Sequence, residues 1–354
     1  MRSLQRFKLN RILVVRTSAI GDVVFASPIA AAIRRSHPHA HIAWLVEPGI
    51  DALIAHSANI DEIILWPQTE LKSLWKSGKK LEMFRRLHIL RNQLRAKHFD
   101  VVLDLQGLLK SGLLSWMTGA PQRIGLGSRE GSQWLMTKVV PRGGETERIS
   151  SEYLHLAKQL DLDCGDFMPE LHISPEADSR ALSLLAESGL APRRYAIFAA
   201  FTTRPQKHWF PDAWQRLAPL VRQQTGLVPV LLGGPADKEA AAQIAAESSD
   251  IIDFSGRTNL AEAAALVSHA GSLIGVDTGL THMGIAFSIP TIALFGSTCP
   301  YTVTNRTNAR VIWLGMSCSP CRRKPTCGGA WTCLRDITPD MVANELKIAL
   351  GKTA

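Results

Sequence analysis

No run of apolar residues in this chain reaches the roughly 18 that a membrane-spanning helix requires, which excludes a helical membrane protein. An A-x-A cleavage pattern is also missing, because the basic start MRSLQRFKLN passes straight into the apolar Ile12-Leu13-Val14-Val15. Cysteine is sparse, six in 354 residues, and four of the six crowd between Cys318 and Cys333 rather than spreading as a secreted disulfide framework would. Together these absences point to a cytoplasmic protein. There is no tandem repeat at the roughly 20- to 50-residue periods of solenoids, and no low-complexity tract. No G-x-G-x-x-G follows the first apolar run, which argues against a dinucleotide-dependent dehydrogenase.

What is present is ordinary globular material, 46% hydrophobic and 20% charged, with enough length for two domains that each bury a core. Strand-like runs at Ile12 to Val15, His41 to Val46, Ile63 to Leu65 and Val101 to Leu105 alternate with helix-like segments, the signature of an α/β domain with a parallel sheet. Between Gly119 and Asp178 the alternation blurs, and a domain boundary is placed there. It restarts with Tyr195 to Ala200, Val228 to Leu232, Ile251 to Phe254, Ser272 to Val276 and Thr291 to Phe295, separated by helical stretches such as Asp212 to Gln224 and Asp237 to Ala246. The expectation is two Rossmann-like domains, 1–175 and 176–354, facing each other across a crevice. Ligands of such sheets sit at the carboxyl ends of strands, so function is sought in the turns.

The first such turn, Ser18-Ala19-Ile20-Gly21-Asp22, has the strand-to-helix form that often holds phosphate, yet a carboxylate follows its glycine. Asp22 would repel a phosphate, and the plain reading of an acid at a helix start is a cap. In the second half, Asp277-Thr278-Gly279-Leu280-Thr281-His282 follows a strand and opens a helix, where small residues and free amides suit an anion. A plain Asp cap with a glycine turn fits that spacing equally well. The turn Thr202-Thr203-Arg204-Pro205-Gln206-Lys207-His208-Trp209 offers two hydroxyls and an ammonium to a diphosphate, with Lys207 neutralising charge on a leaving group. Gly233-Gly234-Pro235-Ala236-Asp237 places a carboxylate where acids bind ribose hydroxyls in nucleotide sites.

The formal charge of +9 is uneven: from Lys72 to Lys97 nine basic residues face one acid, Glu82. A patch of this kind reads either as a site for an anionic partner or as a solvated helix face. The aromatics within it, Trp75 and Phe84, form no RNA-binding motif and the rest of the chain is not basic, so a nucleic-acid partner is not expected. The array Cys318-x2-Cys321-x5-Cys327-x5-Cys333 suits tetrahedral zinc or, as reduced thiols, merely shapes a loop; no metal is assigned.

Taken together, TSAIGD, TTRPQKHW at Thr202 to Trp209 and VDTGLTH at Val276 to His282 resemble the ADP-heptose:lipopolysaccharide heptosyltransferases, closest to the heptosyltransferase I branch, over nearly the whole chain. The resemblance implies a GT-B architecture and an inverting transfer of heptose from ADP-heptose to Kdo-lipid A that needs no divalent metal or other cofactor. It implies that Asp22 is the catalytic base and that Thr202, Thr203 and Lys207 surround the donor's phosphates and sugar. Asp277, Thr278, Gly279, Leu280 and His282 match the donor loop. Asp237 falls beside the ribose and Thr258 beside the adenine, where Thr258 replaces a larger apolar residue. The acceptor side takes Ser18, Lys76, Lys79, Lys80, Arg85 and Arg86, since a phosphate- and carboxylate-rich lipid in the inner leaflet suits a polybasic surface. Trp66 and Trp75 serve as interfacial anchors or as core. A monomer, peripheral on the inner membrane, is expected. Another sugar or core acceptor within the same family remains the alternative.

Overall fold

The computed structural model describes residues 9–322 and 324–351. The basic stretch Met1 to Lys8 therefore lies outside the described residues. Two compact units result: the chain up to Glu145 with Ser150–His172, and Thr146–Ile149 with the chain from Ile173.

The first unit runs β1 (Arg11–Val15), α1 (Ile20–Ala26), α2 (Pro28–Ser36), β2 (His41–Val46), β3 (Glu62–Leu65), α3 (Gln68–Lys76), α4 (Lys80–Ala96), β4 (Val101–Asp104), α5 (Leu109–Met117), β5 (Gln122–Leu126), β6 (Lys138–Val140) and α6 (Ser151–Gln159). Its strands pair in parallel in the order β3-β2-β1-β4-β5-β6. Leu13, Val15, Ala43, Leu45 and Val102 meet Leu90, Leu94 and Phe99 in a core on one face of this sheet. Strands buried on both faces read as continuous apolar runs, which is why β1, β2 and β4 are plain in the sequence.

The second unit runs α7 (Pro175–Glu187), β7 (Tyr195–Ala199), α8 (Pro211–Thr225), β8 (Val228–Leu231), α9 (Lys238–Ala246), β9 (Ile252–Asp253), α10 (Leu260–His269), β10 (Ser272–Val276), α11 (Gly279–Ala286), β11 (Thr291–Phe295), β12 (Ala309–Trp313), α12 (Thr332–Arg335) and α13 (Pro339–Ala349). The order β12-β11-β10-β7-β8-β9, again parallel, repeats that of the first sheet when counted from β7. Local signals set the helix ends. Pro211 occupies the first turn of α8 and Gly226 ends it at φ 77°, a left-handed conformation that favours glycine. The Asn259 side chain caps α10 at the Glu262 N–H while Glu262 reaches back to the Asn259 N–H.

Strands β5, β6 and β12 fall where the alternation is not legible. β5 carries Gln122, Arg123 and Gly125, β6 is three residues long, and β12 holds Arg310, which pairs with Glu345 of α13. These strands lie at or next to a sheet edge, where one side is not fully covered and polar residues are tolerated.

Both sheets reverse their winding between the first strand and the fourth, β1 and β4 in one unit, β7 and β10 in the other. In doubly wound sheets the two loops leaving the carboxyl ends at that reversal splay to opposite faces and open a binding crevice within the unit. The turns holding Asp22, Lys207 and Asp277 all leave from these four strands.

Candidate active site

In the first unit Arg16 follows β1 directly and is almost wholly buried, its side chain 8% exposed. A guanidinium so placed needs partners. One Nη donates to the Leu105 carbonyl beyond β4 at 3.2 Å, and the other forms an ion pair with Asp22 Oδ2. Thr17 ties the same two turns by donating from Oγ1 to Gln106 Oε1 at 2.8 Å. Asp22 sits in the first turn of α1, where the helix N-terminus favours a carboxylate, and its side chain is 46% exposed. The Ala19 N–H also donates to Oδ2, at 3.3 Å. Neither contact uses Oδ1, so one oxygen is anchored by charge while the carboxylate stays open to solvent. Ser18 lies in this turn, half-buried. Beside it, Asp104 is buried and accepts from the Gln106 and Gly107 N–H groups and from Ser111 Oγ, each at 3.0 Å. Burial pushes its carboxyl above the ordinary aspartate value against those hydrogen bonds.

In the second unit the turns after β7 and β10 meet at Asp277. Lys207 Nζ lies 2.5 Å from Asp277 Oδ2, Thr298 Oγ1 donates to the same oxygen, and His282 Nε2 is 3.2 Å from Oδ1. An ionised carboxylate only accepts, so Nε2 carries the proton toward it, and the Tyr301 hydroxyl sits 2.7 Å from the other ring nitrogen. Burial pushes the Asp277 carboxyl up, but the hydrogen bond and charge of His282 and the charge of Lys207 outweigh it and hold the group well below the usual carboxylate range. Burial also pushes the Tyr301 phenol far up, so it stays protonated.

Thr202 Oγ1 reaches the Asp277 carbonyl at 3.4 Å, while Thr203 is exposed. Trp209 fixes the far end of their loop by donating to the Leu334 and Ile337 carbonyls, both at 3.1 Å, with its ring edge-on to Trp214. Thr278 occupies the N-cap position of α11 without a side-chain capping bond, the amides of Gly279 and Leu280 begin that helix, and Thr281 Oγ1 returns to the Val276 carbonyl at 2.6 Å. A Cβ at Gly275 would lie 2.2 Å from Thr281 Oγ1 and 2.8 Å from Ala199 Cβ, so only glycine lets β7, β10 and this turn close up.

Asp237 caps its own turn, accepting the Gly234 N–H at 2.7 Å. The Thr258 hydroxyl is buried and has no hydrogen-bond partner among the described residues. Of the basic segment, Arg85 and Arg86 are held by Glu82, and Arg86 also pairs with Glu70, which joins α3 to α4. Lys76, Lys79 and Lys80 make no ion pair among the described residues, and Lys80 lies over the Trp75 ring at 4.8 Å. Trp66 is buried and Trp75 exposed. Cys318, Cys321, Cys327 and Cys333 are all free thiols, and among the described residues no three His, Cys, Asp or Glu side chains are grouped to hold a metal ion. Nor, among them, is any helix long and apolar enough to cross a membrane.

Arg16, Thr298 and Tyr301 were not legible as site residues. Arg16 carried a signal, since an arginine closing an apolar strand must find a buried partner. Thr298 and Tyr301 follow β11, in a turn with no motif of its own.

The glycosyltransferase family 9 (heptosyltransferase) model matches residues 87–331. A lipopolysaccharide heptosyltransferase 1 of Salmonella typhimurium is 30% identical over 82% of this chain and 89% of its own length. One of Pseudomonas aeruginosa is 29% identical over 96% of this chain and 98% of its own. Among solved structures, a family 9 glycosyl transferase from Veillonella parvula superposes with a TM-score of 0.84 at 22% identity, covering 99% of this chain and all of that one. An E. coli heptosyltransferase solved with ADP gives 0.74 at 23% identity, covering 96% and 99%. The fold shared with them is GT-B. With this fold, and with motif turns at both winding reversals, the chain belongs to glycosyltransferase family 9, the heptosyltransferases.

Proposed function

We propose that the protein moves heptose from ADP-heptose to Kdo-lipid A, with inversion at the anomeric carbon, working as a monomer at the inner leaflet of the inner membrane. Residues 1–175 handle the acceptor and 176–354 the donor. The observation that carries this reading is the division of labour between the two reversal points: an open carboxylate, Asp22, in one unit, and an ammonium beside a helix N-terminus, Lys207 and α11, in the other. The names of the relatives support the substrate class, as does an E. coli heptosyltransferase solved with ADP-2-deoxy-2-fluoro heptose.

In this mechanism an acceptor hydroxyl attacks the anomeric carbon and gives its proton to Asp22 Oδ1, the oxygen that Arg16 and Ala19 leave open. The bond from the anomeric carbon to the diphosphate oxygen breaks, and ADP leaves with the electron pair. The carbon passes through an oxocarbenium-like state. Lys207 and the amides opening α11 take up the charge that grows on the departing diphosphate. Thr202 and Thr203 hold the phosphates, Asp277, Leu280 and His282 the sugar side, Asp237 the ribose, and the Thr258 position lies beside the adenine. Lys76, Lys79 and Lys80 attract the anionic acceptor and its membrane. The test is incubation with ADP-heptose and Kdo-lipid A, reading product mass. A mass increase of one heptose is expected, and its absence with a folded protein and both substrates overturns the reading.

A further inference from the structure

Between α3 and α4 the first unit opens into a pocket of about 340 Å³. Leu71, Trp75, Met83 and Leu87 form its apolar wall, and Lys72 and Lys76 stand in the same wall. The acids of this hairpin, Glu70 and Glu82, are already neutralised by Arg85 and Arg86, and the two lysines, which line the pocket with their aliphatic stems, make no ion pair among the described residues. Outside the pocket the hairpin shows Leu81 at 86% exposure, Phe84 at 57% and Trp75 at 52%. Large apolar side chains grouped on one hairpin are unusual on a free surface.

An apolar pocket beside unpaired ammonium groups fits a ligand that carries hydrocarbon and negative charge together. A soluble sugar phosphate satisfies the lysines and leaves the wall wet. A bilayer of anionic lipid offers both parts at once, with headgroups at the lysines and chains just beneath. We infer that the α3–α4 pocket takes one acyl chain of an anionic bilayer lipid, while Leu81 and Phe84 dip into the interface. The protein is then held by an inserted chain as well as by surface charge. This rests on the proposed action at a membrane surface and adds a binding site to it.

The test uses the full chain with phosphatidylglycerol vesicles and no acceptor. At about 1 M salt, where the screening length falls to about 3 Å, charge attraction is largely removed and chain insertion is not. The wild type is expected to keep measurable vesicle binding there, and the pocket-filling pair Met83→Phe and Leu87→Phe to lose about tenfold of it. Lys72→Gln with Lys76→Gln loses binding mainly at low salt. Vesicle binding that vanishes at high salt in the wild type, or survives unchanged in the filled variant, overturns the inference. Should the filled variant not fold, lipids brominated within the acyl chain decide on the other proteins: quenching of a component missing from Trp75→Phe supports insertion, and equal quenching in both overturns it. Transfer from ADP-heptose to detergent-dispersed Kdo-lipid A is measured in parallel. Its failure overturns the sugar-transfer reading and leaves the vesicle result standing.

Discussion

Lys207 reaches the turn after β10 already paired, its Nζ 2.5 Å from Asp277 Oδ2, although the two residues leave different strands and lie seventy positions apart. The pair is electrically neutral as a unit. In the proposed reaction an incoming diphosphate would therefore meet first the amides at the start of α11, and Lys207 would contribute most when charge on the leaving group has grown enough to compete with Asp277. Thr298 and His282 hold the carboxylate in place meanwhile, which keeps the ammonium aimed without pulling it into solvent.

Asp277→Asn should cost about 3 to 5 kcal/mol of stability at neutral pH, because it leaves a mostly buried ammonium without its counter-charge. The folded carboxyl titrates below its unfolded value, near 3.9, so its contribution is full above that value and is lost as pH falls through the folded one. Urea unfolding over a pH series should show the gap between wild type and variant constant above about pH 5 and narrowing below about pH 4. A gap that widens on acidification would contradict the pairing.

Lys207→Ala should lower kcat by about 10²- to 10³-fold and raise donor KM far less, as for a group that acts mainly on transition-state charge. Single-turnover transfer and calorimetric ADP binding separate the two. A raised donor KM with normal kcat would reduce Lys207 to a ground-state contact.

Asp22→Asn keeps the side-chain shape and can still accept the Ala19 N–H, so it should fold, bind donor normally and transfer about 10²- to 10⁴-fold more slowly. Arg16→Lys keeps the charge but not the two-pronged grip on Asp22 and the Leu105 carbonyl. It should lower kcat by up to about 10²-fold through misplacement of the carboxylate, with donor KM unchanged. Near-normal turnover of folded Asp22→Asn would remove the base.

Reversing charge at Lys76, Lys79 and Lys80 should raise acceptor KM and weaken vesicle binding at low salt while ADP binding holds. The loss should shrink as salt rises, since exposed charges act over the screening length. The corresponding change at Arg85 should do less, because that guanidinium is already spent on Glu82, whose carboxyl is pushed down to about 2 by hydrogen bonds from Arg85 and Arg86. Equal effects at Arg85 and at the three lysines would argue against this ranking.

Thr258→Val removes a buried hydroxyl with no hydrogen-bond partner among the described residues and should be neutral or stabilising by about 1 kcal/mol. ADP affinity should hold within about twofold if the adenine meets only the methyl side of this residue. A loss of an order of magnitude would show that the nucleotide supplies the missing hydrogen bond.

Periodicity and local turn chemistry were enough to reveal two α/β domains, most of the central strands and the turns that carry Asp22, Lys207 and Asp277. Continuous apolar runs mark strands covered on both faces, and a small residue after such a run marks a turn, so β1, β4, β7 and β10 are legible without coordinates. The edge-region strands β5, β6 and β12 were not, because partial exposure lets arginine, lysine and glutamine into them. Which charges are free was equally hidden. Arg85 and Lys79 read alike in a row of basic residues; Glu82 meets Arg85 and Arg86 at helical spacing within α4, but only the packing of α3 on α4 brings Glu70 to Arg86, while Lys76, Lys79 and Lys80 make no ion pair among the described residues. The pairings of Arg16 with Asp22 and of Lys207 with Asp277 also belong to tertiary structure. In one, a guanidinium at the end of β1 anchors between its own turn and the turn after β4; in the other, side chains from β7 and β10 meet across the reversal. Strand order sets both, and strand order depends on how parallel crossovers pack against each sheet rather than on any local spacing of residues.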